Sequence, residues 1–266
     1  MPINFKEKRP LYILKELAQI LRGENGCAWD KKQTPKTLRP YLIEEVYELY
    51  EALESDDPEK IKEELGDYLY QAFAQAQIAM EKKQFSIDEV AQGIIDKLIL
   101  RHPHVFGQEQ TLEADEVKAR WEKIKKKEKP ERKSILEGVP KHLPALLKAY
   151  RVQEKVSKVG FDWSKLDEVV LKLEEELKEF KRAVALADKD NIAEEVGDIL
   201  FSLVNVLRFL EIDPESALQK SVAKFMSRFQ IMEKMALREG FKLEEKSLEE
   251  LDLLWEESKK KGLEVE

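Results

Sequence analysis

At 266 residues the chain can hold two modest domains or one large one, and 42% apolar residues suffice for real cores. A net charge of −8, with both signs spread through a 38% charged chain, excludes a general nucleic-acid binder, because no basic excess is present to neutralise phosphates. The single cysteine, Cys27, rules out an internal disulfide; no apolar run is long enough for a membrane span or a signal peptide, and the expectation is a cytoplasmic protein.

Glycine and proline number only 10 each, and long stretches rich in Ala, Leu, Glu, Lys and Gln predict an all-α fold. Helical periodicity covers Leu11–Leu21 and breaks at the loop RGENGCAWDKKQTP. A second helix is expected from Pro35–Thr37 to Glu54. SDDPEK then supplies cap candidates Ser55 to Asp57, with Pro58 in the first turn of a third helix reaching Lys83. Ser86 and Glu89 form a capping-box pattern that opens a fourth helix, ending before RHPHVFG. A further helix is expected over Leu112–Lys127, and the basic run that follows it leads into a linker, residues 129–141, interrupted by Pro130 and Pro140. Beyond it, helices are expected over 145–158, 165–187, 190–211, 214–239 and 246–260.

The second half repeats the first. Sliding the chain by 131 residues lays Leu42–Leu69 on Leu173–Leu200 with 12 of 28 pairs identical, including the Gly–Asp pairs Gly66–Asp67 and Gly197–Asp198. The expected organisation is a tandem duplication: a first module over 1–128, the linker, and a second module over 142–266. The loop KVGFDWS holds the place of NGCAWDK.

Each copy carries E-E-x-x-E on one helix and E-E-x-G-D on the next. Residues three apart share a helix face, so Glu176 pairs with Glu179, and Glu195 with Asp198. A short turn makes the two helices antiparallel neighbours, and four carboxylates then converge. The apolar run ILFSLVNVL after Asp198 puts these acids beside core, and a mid-helix Gly197 or Gly66 suits close approach of a neighbouring backbone or a ligand. Crowded carboxylates repel, and a cation removes the conflict; an all-oxygen set suits Mg²⁺ or Mn²⁺. The competing reading is a solvated, salt-bridged face, for which Lys172–Glu176 and Glu175–Glu179 have ordinary spacing. A diiron bundle is excluded, because His102, His104 and His142 lie at the wrong offsets for Glu-x-x-His.

CAWDKKQTPKTLRPYLIEEVYELYEAL, EELGDYLYQ and KLILRHPHVFG, followed by the second acidic copy, closely resemble the MazG family of the all-α NTP pyrophosphatase superfamily. The resemblance spans essentially the whole chain. It implies tandem four-helix-bundle-like modules that form a homodimer. It also implies Mg²⁺-dependent hydrolysis of NTPs and dNTPs to monophosphate and diphosphate, in the clearance of aberrant nucleotides. Matched by position, Glu176, Glu179, Glu195 and Asp198 are metal ligands of the second module, with Glu175 or Glu176 handling the attacking water. Lys172, Glu175, Asn191 and Glu194 line the nucleotide, Lys224 and Arg228 meet the phosphates, and Trp255 lies near the base. Glu45, Glu48, Glu64 and Asp67 are the first-copy equivalents, with Lys97 and Arg101 matching Lys224 and Arg228, and Trp121 echoing Trp255. The first copy departs at Tyr41 and Lys60, where the second has Lys172 and Asn191. The second module is therefore expected to be the main catalytic site and the tyrosine-rich first module a dimer platform that can retain a second active site. A dUTP-type or phosphoribosyl-ATP pyrophosphohydrolase on the same fold is the competing reading, which the duplication and RHPHVFG disfavour.

Overall fold

A computed structural model describes residues 9–107 and 133–262, together with 113, 116, 117, 120, 121, 124 and 128. All regular elements among these residues are helical. Most of the helix expected over Leu112–Lys127 and the first part of the linker lie outside the described residues.

The chain divides into two compact units, Met1–Glu128 and Lys129–Glu266. In the first, α1 (Pro10–Arg22) and a short α2 (Ala28–Lys32) precede the long hairpin of α3 (Arg39–Ser55) and α4 (Pro58–Glu81); α5 (Ile87–Arg101) and α6 (Pro103–Phe106) follow. In the second, a 3₁₀ turn at Ile135–Gly138 packs on α7 (Ala145–Ser157). Then come the hairpin α8 (Leu166–Leu186) and α9 (Lys189–Phe209), α10 (Pro214–Glu239) and α11 (Leu248–Gly262). Within each unit the opening helix packs on the second arm of the hairpin: α1 on α4, and α7 on α9.

Local chemistry explains the boundaries. The α3 helix begins later than Pro35–Thr37 because Thr34 and Thr37 close a turn on each other, with backbone N–H to hydroxyl bonds of 2.8 and 3.2 Å. Of the three cap candidates, Asp57 accepts the Glu59 N–H at 3.0 Å. Ser86 and Glu89 complete the capping box. Caps of this kind stabilise a helix by about 1 kcal/mol each. The hairpin turns are two residues long in both units. Asp56 and Ala187 are left-handed at φ 52° and 55°, followed by Asp57 and Asp188 as N-caps. Non-glycine residues there cost about 1 kcal/mol, so the same strained turn in both copies is a structural trace of the duplication.

Each hairpin is tied to the opening of its unit by a charged pair of opposite polarity. In the first unit Arg22, at the end of α1, makes a two-pronged bond with Glu81 on α4, both distances 2.8 Å. In the second, Arg208 on α9 forks onto Asp162 of the KVGFDWS loop at 3.0 and 2.5 Å.

The apolar faces are less covered than the sequence suggests. No residue of α5 is buried, although Val90, Ile94, Ile95, Leu98 and Ile99 are exposed on it. Leu200, Phe201 and Leu203, in the run expected to flank the acids as core, are exposed as well. No described helix is long and apolar enough to cross a membrane.

Candidate metal and nucleotide site

The hairpin sets the acids level with one another. Glu176 and Glu179 lie 11 and 8 residues before Ala187, while Glu195 and Asp198 lie 7 and 10 residues after Asp188. At about 1.5 Å per residue, Glu179 faces Glu195 and Glu176 faces Asp198. The first unit has identical offsets around Asp56 and Asp57. Carboxylate oxygens of Glu176, Glu179 and Glu195 all come within 4.8 Å of one another, as do those of Glu45, Glu48 and Glu64.

Asp198 and Asp67 fall outside these close triads. Each is one methylene shorter than glutamate and exposed. Their charges still reach the triads. Burial, and then Glu179, Glu176, Asp198 and Glu194, hold the Glu195 carboxyl above its ordinary 4.5. Burial followed by neighbouring carboxylates, including Asp67, raises Glu48 and Glu64 in the same sense. Three hard oxygen donors this close, with ionisation resisted in the bare protein, fit a small divalent cation.

A carboxyl raised in the folded state stabilises fully below about 4.5 and loses that contribution as pH climbs through its folded value. In EDTA, urea unfolding should show stability falling as pH climbs above about 4.5, and Glu195→Gln should flatten part of that slope. An unchanged slope in the variant would remove the repulsion argument. Glu81, held low by Arg22, and Glu154, where burial pushes up but Arg151 and Lys158 together hold it low, act below 4.5 and do not mask it.

The two triads are held differently. In the second unit Glu176 is only 6% exposed, and Lys172 Nζ lies 2.9 Å from its Oε1 and 2.9 Å from Glu175 Oε1. Hydrogen bonds that it donates to Glu176 first, then to Glu175, keep the Lys172 ammonium well above its usual range. In the first unit Tyr41 stands at the matching position, edge-on to Trp29 with ring centroids 5.6 Å apart. There Gln71 Nε2 donates to Glu45 Oε1 at 3.1 Å. Gln71 is buried, and with Tyr41, Tyr70 and Trp29 it lines a cavity of about 210 Å³ beside Glu45. Sequence reasoning missed Gln71; its position four residues after Asp67, hence on the same helix face, was the available signal.

A second group forms on α10 and α11. Trp255 on α11 packs against Phe225 at 5.0 Å, and the Arg228 guanidinium lies 5.8 Å from the Trp255 ring. Phe225 and Trp255 border an apolar cleft of about 510 Å³ between α10 and α11, which Phe229 and Leu251 also line. Lys224 is exposed on the same helix. Among the described residues no hydrogen bond or ion pair joins Lys224 or Arg228 to the triad.

The first unit repeats the arginine–tryptophan pair, with Arg101 5.7 Å from the Trp121 ring. Here, however, Glu128 captures Arg101 through two bonds of 2.9 and 2.5 Å. Lys97 is exposed. His102 packs on Trp121 at 5.6 Å and bonds the Leu98 carbonyl, a packing role. Asn191 is the residue whose N–H Asp188 caps, and Glu194 is exposed. Gly66 and Gly197 have no neighbouring backbone against them: an added Cβ would meet nothing within 4 Å, so the backbone-approach reading fails.

A family model for the MazG nucleotide pyrophosphohydrolase domain matches residues 33–106 and 165–235, the two spans that hold the triads. The chain is 47% identical over 251 residues to the nucleoside triphosphate pyrophosphohydrolase/pyrophosphatase MazG of Thermotoga maritima, covering 93% of this chain and 96% of that protein. It is 39% identical over 257 residues to the nucleoside triphosphate pyrophosphohydrolase of Escherichia coli (strain K12), covering 95% and 98%. A crystal structure of a mazG-related protein from Thermotoga maritima matches 44% of this chain and 98% of that one, at 28% identity and TM-score 0.38.

Proposed function

The chain belongs to the MazG nucleotide pyrophosphohydrolase family, and from that premise we propose that it hydrolyses NTPs and dNTPs to the monophosphate and diphosphate, clearing aberrant nucleotides, with the second unit as the main catalytic site. The observation that carries this reading is the acid triad, closed to within 4.8 Å and set at the same offsets from a two-residue turn in both units.

Glu176, Glu179, Glu195 and Asp198 are the residues that would hold Mg²⁺, with Mn²⁺ as a substitute; Glu45, Glu48, Glu64 and Asp67 would do so in the first unit. When bound, a divalent cation neutralises phosphate charge and makes a nearby water more acidic. The chain's own groups do the rest. Exposed Glu175 is placed to accept a proton from the attacking water, and Glu176 helps orient it. The water oxygen bonds to the α-phosphorus as the bond to the bridging oxygen breaks, and diphosphate leaves with that oxygen. Lys172, Lys224 and Arg228 supply cationic partners for the phosphates. Asn191 and Glu194 line the nucleotide, and Trp255 offers a ring face to the base. In the first unit, Tyr41 and Lys60 replace Lys172 and Asn191, and Glu128 occupies Arg101, so its catalytic contribution is the smaller one. Product analysis tests the reaction: monophosphate and diphosphate are expected from each NTP with Mg²⁺, and nucleoside diphosphate with orthophosphate would overturn it.

The working form is a homodimer built on the first unit. The exposed apolar face of α5 supports this, because a helix with no buried residue gains by covering Ile94, Ile95 and Leu98 with a second copy. Light scattering should give a dimer for the wild type and a monomer for Ile95→Glu. A monomeric wild type, or a variant that stays dimeric, refutes that interface.

A further inference from the structure

The same carboxylate position is held by a cation in one unit and by a neutral amide in the other. Glu176 is bound by the Lys172 ammonium at 2.9 Å, whereas its counterpart Glu45 is bound by the Gln71 amide at 3.1 Å, with Tyr41 standing where Lys172 would be. Lys172 also holds Glu175 at 2.9 Å, so its charge is shared by a buried triad member and the exposed acid beside it. A lysine there is a tethered monovalent cation on a carboxylate that a divalent ion must use. Its four-carbon stem is flexible and its side chain is 35% exposed, so the ammonium can swing away without unfolding the helix.

We propose that Lys172 makes cation loading of the second unit conditional on the triphosphate, while the first unit takes its cation without nucleotide. The inference rests on the metal reading given above. With no nucleotide present, a divalent ion entering the second triad meets the ammonium's repulsion and must displace it from Glu176. A triphosphate gives Lys172 a better anionic partner, which frees Glu176 for the cation and Glu175 for the attacking water. The cation–nucleotide complex is then the species the second unit accepts, and a bare ion does not fill the site in advance. In the first unit the Gln71 amide adds no charge, so ion binding there carries no such coupling.

Mn²⁺ binding to the full chain tests this by electron paramagnetic resonance and calorimetry. Glu48→Gln isolates the second site and Glu179→Gln isolates the first. In the Glu48→Gln background, without nucleotide, adding Lys172→Met should tighten Mn²⁺ binding by roughly tenfold, since removing one nearby charge is worth on the order of that factor at a partly exposed site. The same change should weaken binding of an α,β-methylene triphosphate and shrink its effect on Mn²⁺ affinity. Lys172→Arg should behave like the wild type. Opposite signs for bare metal and for nucleotide are the signature, because a folding lesion would weaken both. Mn²⁺ affinity that is unchanged or lower in the Lys172→Met variant overturns the proposal, as does tighter Mn²⁺ binding with undiminished nucleotide coupling. If the chain binds no Mn²⁺ even with the triphosphate analogue, or if Glu48→Gln and Glu179→Gln remove no sites, the underlying metal reading fails instead.

Discussion

Glu176→Ala or Asp198→Ala should abolish diphosphate release, a loss of at least about 10²–10³-fold in kcat, while helical content stays intact. The two residues reach this outcome by different routes. Glu176 is buried in the triad, and its loss removes a donor that the other two acids cannot replace. The fold survives because Lys172 keeps Glu175 as a partner, so no charge is stranded. Asp198 is exposed and outside the close triad, and is expected to complete the ligand set only when a cation draws it in; its removal should cost activity with no stability penalty. Glu45→Ala and Asp67→Ala are expected to leave most of the activity. Circular dichroism and a diphosphate-release assay on all four variants decide the matter. Loss confined to the first-unit variants would reverse the assignment of the units. Full activity in all four would sink the metal reading.

Arg22→Met should destabilise the first unit by about 3 kcal/mol, the largest stability effect expected from a single polar side chain here. Arg22 meets Glu81 with two nitrogens and turns the third to the carbonyls of Asp30 and Gln33, the latter at 3.2 Å. Its side chain is 10% exposed, so little of this is replaced by water when the guanidinium is gone. Glu81 is more open and can rehydrate, which keeps the cost from rising further. The short α2 carrying Trp29 is fastened to α1 by these bonds, and the cavity beside Glu45 should loosen with it. Urea unfolding of Arg22→Met and of Lys62→Met provides the comparison. Lys62 pairs with Glu59 on the open surface of α4 and should cost less than about 0.5 kcal/mol. Equal effects for both variants would show that Arg22 is not holding α2.

Much of the fold is legible because its signals are local. The capping box at Ser86 and Glu89, the proline at position 58 and the periodicity over 214–239 each concern residues within one or two turns, so they appear where the sequence puts them. The short α2 is missed because its five residues sit between Gly26 and Pro35, where too few apolar positions exist to establish a period. The candidate site divides along the same line. The offsets of the eight acids from the two hairpin turns are written in the chain, and so is the substitution of Tyr41 for Lys172. Gln71 shares a helix face with Asp67, but it is a polar residue in an apolar stretch, and its bond to Glu45 is set by tertiary packing.

By itself, then, the sequence determined the longer helices, the tandem repeat and the levels at which the acids meet, since helical rise and turn length convert residue counts directly into position. The tertiary structure alone decided that three acids close up in each unit while the aspartates stand off. It also decided that Lys172 sits on Glu176, that the charged pairs Arg22–Glu81 and Arg208–Asp162 run in opposite directions, and that α5 turns its apolar face outward. Side-chain length, rotamer and the packing of elements 46 or 59 residues apart fix those outcomes, and no periodicity carries them.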